Sequence, residues 1–554
     1  MSLATNDLVI AGGTVVDGTG AAGVRADVGV RDGRIVAIGE DLVGDVVLDA
    51  TDHVVAPGVI DIHTHYDAQV FWDPQLTPSC FHGVTTVVAG NCGFSIAPTR
   101  PEHRDLVART LENVEDMDVD ALRAGVPTDF STFPEYLASV ERHGLGLNFT
   151  CYLGHTALRL FVMGDDAYER EATDAEIAQM QAVLVEGLDA GAAGFATRFA
   201  PTHRGADGKP VPSRFADRRE LDALLHTLGE VGRGVGAFTA GELVGIEDLY
   251  DLQLRTGVPF TFTAIMSRPN RFHRRQLEIN ENGWARGAEV WPQVSPRPLR
   301  FAITMAEPFT LNPNPAFAAL MGHSGEERIA AYRDPAWRAS ALEAWGRDGV
   351  MVPRWETFEV AESTSHPELV GRRLSDIAIE RGQEPFDCLL DLAVEELDLR
   401  VGCVVANDDE DEVALLVGSD HVTLGVSDAG AHVGQLCDAP LPTDLLGPWV
   451  RERQVMPLEE AVRRLTSVQA DLFGLADRGR LTTGRWADVM VFDPATVSPG
   501  PVRRLHDFPA GSSRLTADQP LGVRHVLVNG VPIRRDGEQL VDPRPGRLVA
   551  PAPR

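Results

Sequence analysis

The chain has 554 residues and carries 50 basic against 81 acidic side chains, a formal net charge of −31. A surface this acidic repels phosphate backbones and anionic headgroups, which argues against nucleic acids and anionic membranes as partners. Hydrophobic residues make up 44% of the chain and charged residues 24%, so a large core can form and global disorder is excluded.

Membrane and export segments are not recognisable in the sequence. No stretch approaches the roughly 20 consecutive apolar residues of a membrane span, and the first ten residues, MSLATNDLVI, show no basic segment followed by an apolar run. Six cysteines are too few for a disulfide framework. We therefore expect a cytoplasmic protein with reduced thiols.

Both ends of the chain have the pattern of short antiparallel strands. The first end, DLVIAGGTVVDGTG followed by ADVGVRDGRIVAIGE, alternates aliphatic and polar residues around Asp-Gly turns. The last, GVRHVLVNGVPIRRDGE, carries hairpin turns at Asn529-Gly530 and Asp536-Gly537. We predict that residues 1–56 and 476–554 together form one small β-sandwich domain.

Between these ends, short apolar strands alternate with helical stretches, which is typical of a parallel sheet. Eight candidate strands favour an α/β fold, a closed (β/α)8 barrel of TIM type over residues 57–475. The candidate strands are Val54–Ile62, Val84–Ala89, Gly146–Tyr152, Ala193–Thr197, Val235–Thr239, Val258–Ala264, Ala288–Val294 and His421–Val426.

Two segments interrupt this alternation. Residues 297–367 are irregular and rich in Pro, Trp and Arg. We predict that they form an insertion that covers the active face, since long ordered loops in compact domains are usually functional. The acidic run NDDEDE at 407–412 is predicted to be a solvated turn before the last strand.

The sequence PGVIDIHTHYD at 57–67 is the strongest chemical pattern. If the strand continues to His65, its period of two places Asp61, His63 and His65 on one face and Ile60 and Ile62 on the other. Two imidazoles at the carboxyl end of a parallel strand can bind a divalent ion where barrel enzymes hold their sites. The alternative is a pair of hydrogen-bonded core histidines, and we favour the metal site.

Two further strand ends carry reactive side chains. Cys92 follows the strand in HGVTTVVAGNCG (82–93). A lone cysteine is often an unreactive residue of the hydrophobic core, but the flanking glycines favour a thiolate metal ligand. Asp428 follows the strand in VTLGVSDAGAHVG (422–434). A carboxylate there can contact the metal and accept a proton from a water of lowered pKa, although an Asx-turn is the alternative.

These patterns resemble the N-acyl-D-amino-acid deacylase (D-aminoacylase) branch of the amidohydrolase superfamily. The similarity rests on HTHYD after PGVID, GVTTVVAGNCG, Ser427-Asp428 and GRLTTGRWADVMVFD at 479–493, and it spans nearly the whole chain. It implies a metal-dependent barrel that hydrolyses an amide bond. By resemblance, His63, His65 and Cys92 bind zinc, as one or two ions, and Asp428 is both a metal contact and the general base and acid.

The chain also departs from this branch. Two further histidine ligands implied by the resemblance are missing from GAFTAGEL (236–243) and FTFTAIMSRP (260–269), and so is an arginine for the substrate carboxylate after Asp428. The only lysine, Lys209, lies in the loop GADGKPVPS, so a carboxylated lysine cannot readily bridge two metals. Candidates to replace the missing ligands are His155, His203, His273, His432 and Glu242.

Three residues are predicted to bind substrate. His155 in YLGHTALR resembles a Gly-His segment after the family's third strand, which implies contact with the substrate or support of a metal ligand. His432 follows the strand that carries Asp428, and Arg268 lies in a cluster with Arg271, Arg274 and Arg275. Such a cluster could attract a carboxylate, although exposed arginines that offset an acidic surface would explain it equally well.

The sequence therefore predicts a metal-dependent amidohydrolase for an N-acyl-D-amino acid or a related small amide, with a homo-oligomer as one option. Three alternatives stay open. The barrel could hydrolyse a cyclic amide, lactone or carbamate; it could be a degenerate barrel that binds a ligand without catalysis; or it could be a metal-assisted lyase or cyclase, since a base beside a Lewis acid can remove a carbon-bound proton.

Overall fold

The computed structural model describes residues 6–201, 205, 209–345 and 352–554. Eight parallel strands form a barrel: Val59–Asp61, Val84–Ala89, Asn148–Cys151 continued by Leu153–Gly154, Gly194–Arg198, Val235–Thr239, Phe260–Phe262, Val290–Val294 and Thr423–Leu424. A parallel bridge between Thr64 and Ala429 joins the first strand to the last. The predicted (β/α)8 barrel is confirmed, with shorter strands than the apolar runs suggested.

Helices surround the barrel. Those between the barrel strands are Arg104–Glu115, Val119–Gly125, Phe133–His143, His155–Met163, Asp174–Ala190, Arg218–Val231, Ile246–Thr256, Phe272–Ala285 and Glu410–Gly418. After the last strand come Leu441–Asp444, a π-helical turn Leu445–Glu452, Leu458–Leu465 and Ser467–Leu472. Among the described helices, none has the length and apolar character that crossing a bilayer requires.

A separate nine-stranded sheet is built from both ends of the chain, as predicted. Its strands are Asn6–Val15, Val24–Arg31, Arg34–Gly39, Gly44–Asp49, Val54–Pro57, Val489–Phe492, Val523–Val528, Val531–Arg535 and Glu538–Gln539. Val54–Pro57 pairs antiparallel with Val489–Phe492 and so joins the two ends. At the predicted hairpin turn, Asn529 and Gly530 both adopt positive φ (47° and 80°), which type I′ turns require.

The last residues of the sequence leave this sheet and run along the barrel. Phe149 N donates to Arg547 O, Val549 N to Phe149 O, and Arg554 N to Gly232 O. Residues 545–554 therefore contact the amino ends of barrel strands, whereas we had expected the whole segment 476–554 to lie in the sandwich.

The segment expected to be irregular is a small subdomain that extends further than predicted. Strands Leu299–Thr304, Glu359–Glu362 and Arg400–Ala406 form an antiparallel sheet. Helices Pro315–Ala318, Gly325–Arg333, Pro335–Trp345, Leu374–Arg381 and Pro385–Glu395 accompany it. Phe317, Tyr332, Phe386 and Leu389 are buried in a core of its own. The insertion therefore runs to Ala406, because its last strand completes the sheet.

The barrel interior shows which strand positions face inward. Ala196 and Ala237 pack there with Ile60 and Ile62, and Arg198 and Thr239, two residues further along their strands, line the cavity above. The predicted alternation around His63 is thus incorrect, since Ile60 and Ile62 were assigned to the opposite face. The first strand ends at Asp61 and the chain bends, so that the histidines enter the cavity after a change of phase.

Candidate active site

His63 lies at the end of the first strand and is fully buried. Its Nδ1 is 2.6 Å from Gln293 Oε1, on the seventh strand. Because an amide oxygen can only accept, Nδ1 carries the proton and Nε2 is left as the coordinating nitrogen. Nε2 lies 2.9 Å from Asp428 Oδ1 and 3.6 Å from Cys92 Sγ.

His65 faces the same point from two residues further along. Its Nε2 is 3.6 Å from Asp428 Oδ1, and its Nδ1 is 3.3 Å from Glu115 Oε1, at the end of helix Arg104–Glu115. Burial raises the pKa of Glu115 to about 7, against the opposing charge of His65. A carboxylate behind an imidazole fixes the orientation of the ring and increases its basicity as a ligand.

We expect Glu115→Gln to lower zinc affinity by about 10- to 100-fold, because the amide keeps the shape of the side chain but removes the charge that supports His65. Competition with a chromogenic chelator measures this affinity. Glu112→Gln, an exposed position on the same helix, is the matched control. Equal affinities for the two variants would contradict the role of Glu115.

The loop Asn91–Gly93 directs Cys92 toward these histidines. Gly90, Cys92 and Gly93 all have positive φ (74°, 56° and 76°), and a Cβ on Gly90 would lie 2.6 Å from Tyr152 O. Only glycine fits such a close approach without displacing the neighbouring backbone. The motif Gly-Asn-Cys-Gly is therefore a tight turn that holds the thiol at the carboxyl end of the second strand.

Asp428 follows the last strand in a strained backbone. Val426 and Asp428 have φ of 61° and 44°, and a positive φ is rare for a β-branched residue. Ser427 Oγ donates to His63 O at 2.8 Å and ties the two strand ends together. Strain of this kind is typical of functional sites, where surrounding contacts maintain it.

The charges in this cluster act strongly on one another. Burial lowers the pKa of His63, but the Asp428 carboxylate and the Cys92 thiolate together raise it to about 10. Burial likewise opposes ionisation of Cys92 and Asp428, yet His63 and His65 hold both pKa values well below their usual range. The cluster therefore favours the anionic forms of Cys92 and Asp428, which are the forms that ligate metals, and a bound metal would displace the Nε2 proton of His63.

The donor set fits a zinc ion. One ligand atom from each of His63, His65 and Cys92 lies within 4.8 Å of the others, and Asp428 supplies an oxygen beside them. Two imidazoles, a thiolate and a carboxylate are ligands that tetrahedral zinc accepts. No other group of three such residues was found among residues 6–201, 205, 209–345 and 352–554.

Several of the residues that could replace the missing histidines as ligands form other contacts. Thr239 and Thr263 stand at the ends of the fifth and sixth strands and line the cavity. Glu242 pairs with Arg214 at 3.0 Å and is largely exposed, and Lys209 pairs with Glu169. His203 lies outside the described residues.

His273 and the acidic run 407–412 form one buried contact. His273 Nε2 is 2.8 Å from Glu412 Oε2, and Arg274 binds the same carboxylate at 2.7 Å. Glu412 is 3% exposed and lies in helix Glu410–Gly418. The run is therefore not a solvated turn: it begins a helix whose buried carboxylate is paired, as burial of a charge requires.

A cavity of about 440 Å3 opens above the cluster. Polar residues at its floor include Glu115, Arg198, Asp428 and His432, while its walls are largely apolar. The apolar wall is formed by Met266, Phe272, Leu299, Phe301 and Val426. Leu299 and Phe301 belong to the insertion, which therefore borders the cavity.

Of the three predicted substrate contacts, two line this cavity. Arg268 is exposed on its rim, and His432 packs edge-on against Phe301 at 5.3 Å. Burial lowers the pKa of His432 to about 4, so the ring is neutral at physiological pH. His155 is instead fully buried outside the cavity lining, which corrects its assignment as a substrate contact.

The contacts of His155 explain its place. Its ring nitrogens lie 2.7 Å from Thr197 Oγ1 and 2.7 Å from Glu220 Oε1, and Glu220 also pairs with Arg159. The side chains of His155, Glu220 and Arg159 are ionisable, and they are buried together with the hydroxyl of Thr197. Both ring nitrogens are thus used in holding the helices to the fourth strand, and none is left for a ligand.

Sequence reasoning missed three residues of the site. The sequence indicated Arg198 and Gln293 only weakly, because each is a polar residue at or next to the carboxyl end of a predicted apolar strand. It did not indicate Glu115, since Glu115 lies within the largely polar stretch TLENVEDM, at the end of a helix. Only the fold brings it beside His65.

Comparison with known proteins identifies the family of this chain. A model of the amidohydrolase family matches residues 46–534. The chain belongs to the amidohydrolase family. This amidohydrolase is 29% identical to D-aminoacylase and 30% identical to N-acyl-D-glutamate deacylase, both of Alcaligenes xylosoxydans xylosoxydans. Each alignment covers 98% of this chain and 97% or 96% of the relative.

Solved structures place the amidohydrolase in the same branch. The crystal structure of D-aminoacylase superposes with a TM-score of 0.69 at 27% identity, over 98% of this chain and all of that one. N-acyl-D-glutamate deacylase from Bordetella bronchiseptica, complexed with zinc and a phosphonate inhibitor that mimics the tetrahedral intermediate, gives 0.69 at 29% identity, over 98% and 99%. The protein is thus a D-aminoacylase-like, metal-dependent amidohydrolase.

Proposed function

We propose that the protein hydrolyses the amide bond of an N-acyl amino acid, with a D-amino acid as the first choice. The observation that carries this proposal is the cluster of His63, His65, Cys92 and Asp428 at the floor of one cavity. The names of the relatives, D-aminoacylase and N-acyl-D-glutamate deacylase, support the choice of substrate class.

In this proposal His63, His65 and Cys92 hold a zinc ion, with Asp428 beside them. When bound, the ion polarises the scissile carbonyl and lowers the pKa of water. Asp428 accepts a proton from the attacking water and then delivers it to the departing amine. His63 and His65 hold the pKa of this carboxylate low, so it is deprotonated before it accepts the proton from water. Gln293 and Glu115 orient the two imidazoles.

The cavity supports a small substrate with an apolar part. A volume of about 440 Å3 is near the lower end of common ligand clefts, roughly 300–1,000 Å3. Met266, Phe272 and Phe301 offer apolar contact to an acyl chain or an aliphatic side chain. We infer one zinc ion per chain, because Thr239 and Thr263 offer neutral hydroxyls where a second ion would need stronger ligands.

The direct test is an amine-release assay on zinc-loaded protein with N-acetyl and N-butyryl derivatives of D- and L-amino acids. We expect turnover of apolar D-derivatives that disappears on chelation and returns with zinc. The metal-stripped protein is the control. Binding of these compounds without turnover would favour the degenerate barrel, and hydrolysis confined to dihydropyrimidine-like cyclic amides would favour the cyclic-amide alternative. The cytoplasmic location and a homo-oligomer stay predictions.

A further inference from the structure

Arg198 ends the fourth strand and enters the cavity at its floor. The side chain is only 3% exposed, although it lines the cavity with His65, Cys92 and Asp428. The backbone of Arg198 lies against the loop that carries Cys92, since a Cβ on Gly93 would be 3.2 Å from Arg198 N. Arg198 is thus a buried arginine that lines the same cavity as the cluster.

Negative charges on neighbouring residues keep this guanidinium ionised. Burial lowers its pKa, while Cys92, Glu115 and Asp428 act in the opposite direction. All three anions also face His63 or His65. A divalent ion bound by Cys92 and Asp428 neutralises two of the charges that face Arg198, so the loaded cavity attracts an additional anion more strongly than the empty one.

The chemistry of an N-acyl amino acid places its carboxylate at this depth. Three bonds separate the scissile carbon from the carboxylate carbon, which limits their separation to about 4 Å. A cation that binds this carboxylate must therefore lie beside the reacting centre. Arg198 satisfies this condition at the floor of the cavity, whereas Arg268 is exposed at the rim.

We propose that Arg198 is the residue that binds the α-carboxylate of the substrate, which makes a free carboxylate next to the scissile amide a requirement for tight binding. The inference rests on the proposed function, because it assumes that the amide is positioned at the cluster. Guanidinium and carboxylate form paired, charge-assisted hydrogen bonds, and lysine cannot reproduce this geometry.

Calorimetry on zinc-loaded protein in an Asp428→Asn background, which prevents turnover, tests this proposal. The probes are N-acetyl-D-leucine, its L-enantiomer and N-acetyl-D-leucinamide, which replaces the carboxylate by a neutral amide. We expect Arg198→Met to weaken binding of N-acetyl-D-leucine by about 10- to 100-fold and to change binding of the leucinamide by less than about threefold. Arg198→Lys should fall between.

Controls separate this role from others. Arg286→Met removes an exposed arginine that follows helix Phe272–Ala285 and pairs with Asp251, and should leave every affinity unchanged. Equal weakening of acid and amide would overturn the proposal in favour of a contact to the reacting carbonyl. Loss of zinc from Arg198→Met would overturn it in favour of a structural role.

The remaining outcomes distinguish this inference from the proposed function. Binding of N-acetyl-D-leucine that depends on Arg198, without hydrolysis by the protein that retains Asp428, contradicts the proposed function and leaves the carboxylate site standing. Hydrolysis that is equally fast for acid and amide, with no dependence on Arg198, supports the function and overturns the inference. Absence of binding for every probe overturns the inference as well.

Discussion

The Asp428→Asn enzyme should hydrolyse its substrate about 10²- to 10⁴-fold more slowly while it retains its zinc. Asparagine keeps the size of the side chain but cannot accept a proton, so the water that attacks the amide loses its base. The Nε2 of His63 lies 2.9 Å from Asp428 Oδ1, and asparagine can keep an oxygen at this position. His63, His65 and Cys92 still provide three ligands. Steady-state kinetics and elemental analysis of the same sample measure both effects.

Asp420→Asn is the matched control for this experiment. Asp420 precedes the same strand, is 90% exposed, and lies 4.0 Å from Arg464. The activity of the Asp420→Asn variant should therefore equal that of the unchanged protein. Comparable turnover by Asp428→Asn would exclude Asp428 as the base. Loss of zinc together with activity would show instead that Asp428 acts chiefly as a ligand.

Removal of a metal ligand should have a second, equally large effect. We expect about one zinc per chain in the purified protein and almost none in Cys92→Ala or His63→Ala. The expected loss of affinity is more than about 100-fold, beyond that caused by residues that only orient a ligand. Elemental analysis after dialysis against a weak chelator provides the measurement.

Cys403→Ala controls for the loss of a thiol. Cys403 is buried in the sheet of the insertion, and its removal should leave the zinc content unchanged. Two zinc ions per chain in the unchanged protein would contradict the inference of a single ion and direct attention to His432. Full zinc in Cys92→Ala would exclude the thiolate as a ligand.

Much of this arrangement could be predicted because it depends on local periodicity. Each barrel strand is a short apolar run, and the parallel βα repeat brings the carboxyl ends of such strands to one side. That rule alone places His63, Cys92 and Asp428 together, although they are far apart in the sequence. The Asn-Gly hairpin was predictable for the same reason, since the turn chemistry lies within two residues.

The predictions failed where a residue depends on a distant partner. Glu412 was read as solvated because the run NDDEDE is polar, but His273 and Arg274 from another helix bury and pair it. His155 was predicted to contact the substrate because its Gly-His segment resembles one in the family, but its ring nitrogens contact Thr197 and Glu220 instead. The predicted insertion ended too early, because its last strand, Arg400–Ala406, is recognisable only through its pairing with the distant strand that begins at Leu299.

The way in which the two ends of the chain meet has a consequence for folding during synthesis. Val54–Pro57 has no antiparallel neighbour on one side until Val489–Phe492 is made, and Phe149 exchanges backbone hydrogen bonds with residues 547 and 549. On the ribosome, these early strands therefore keep unpaired edges until nearly all of this sequence has been translated. Because exposed strand edges promote aggregation, we expect chaperone binding to the nascent chain to raise the yield of folded protein.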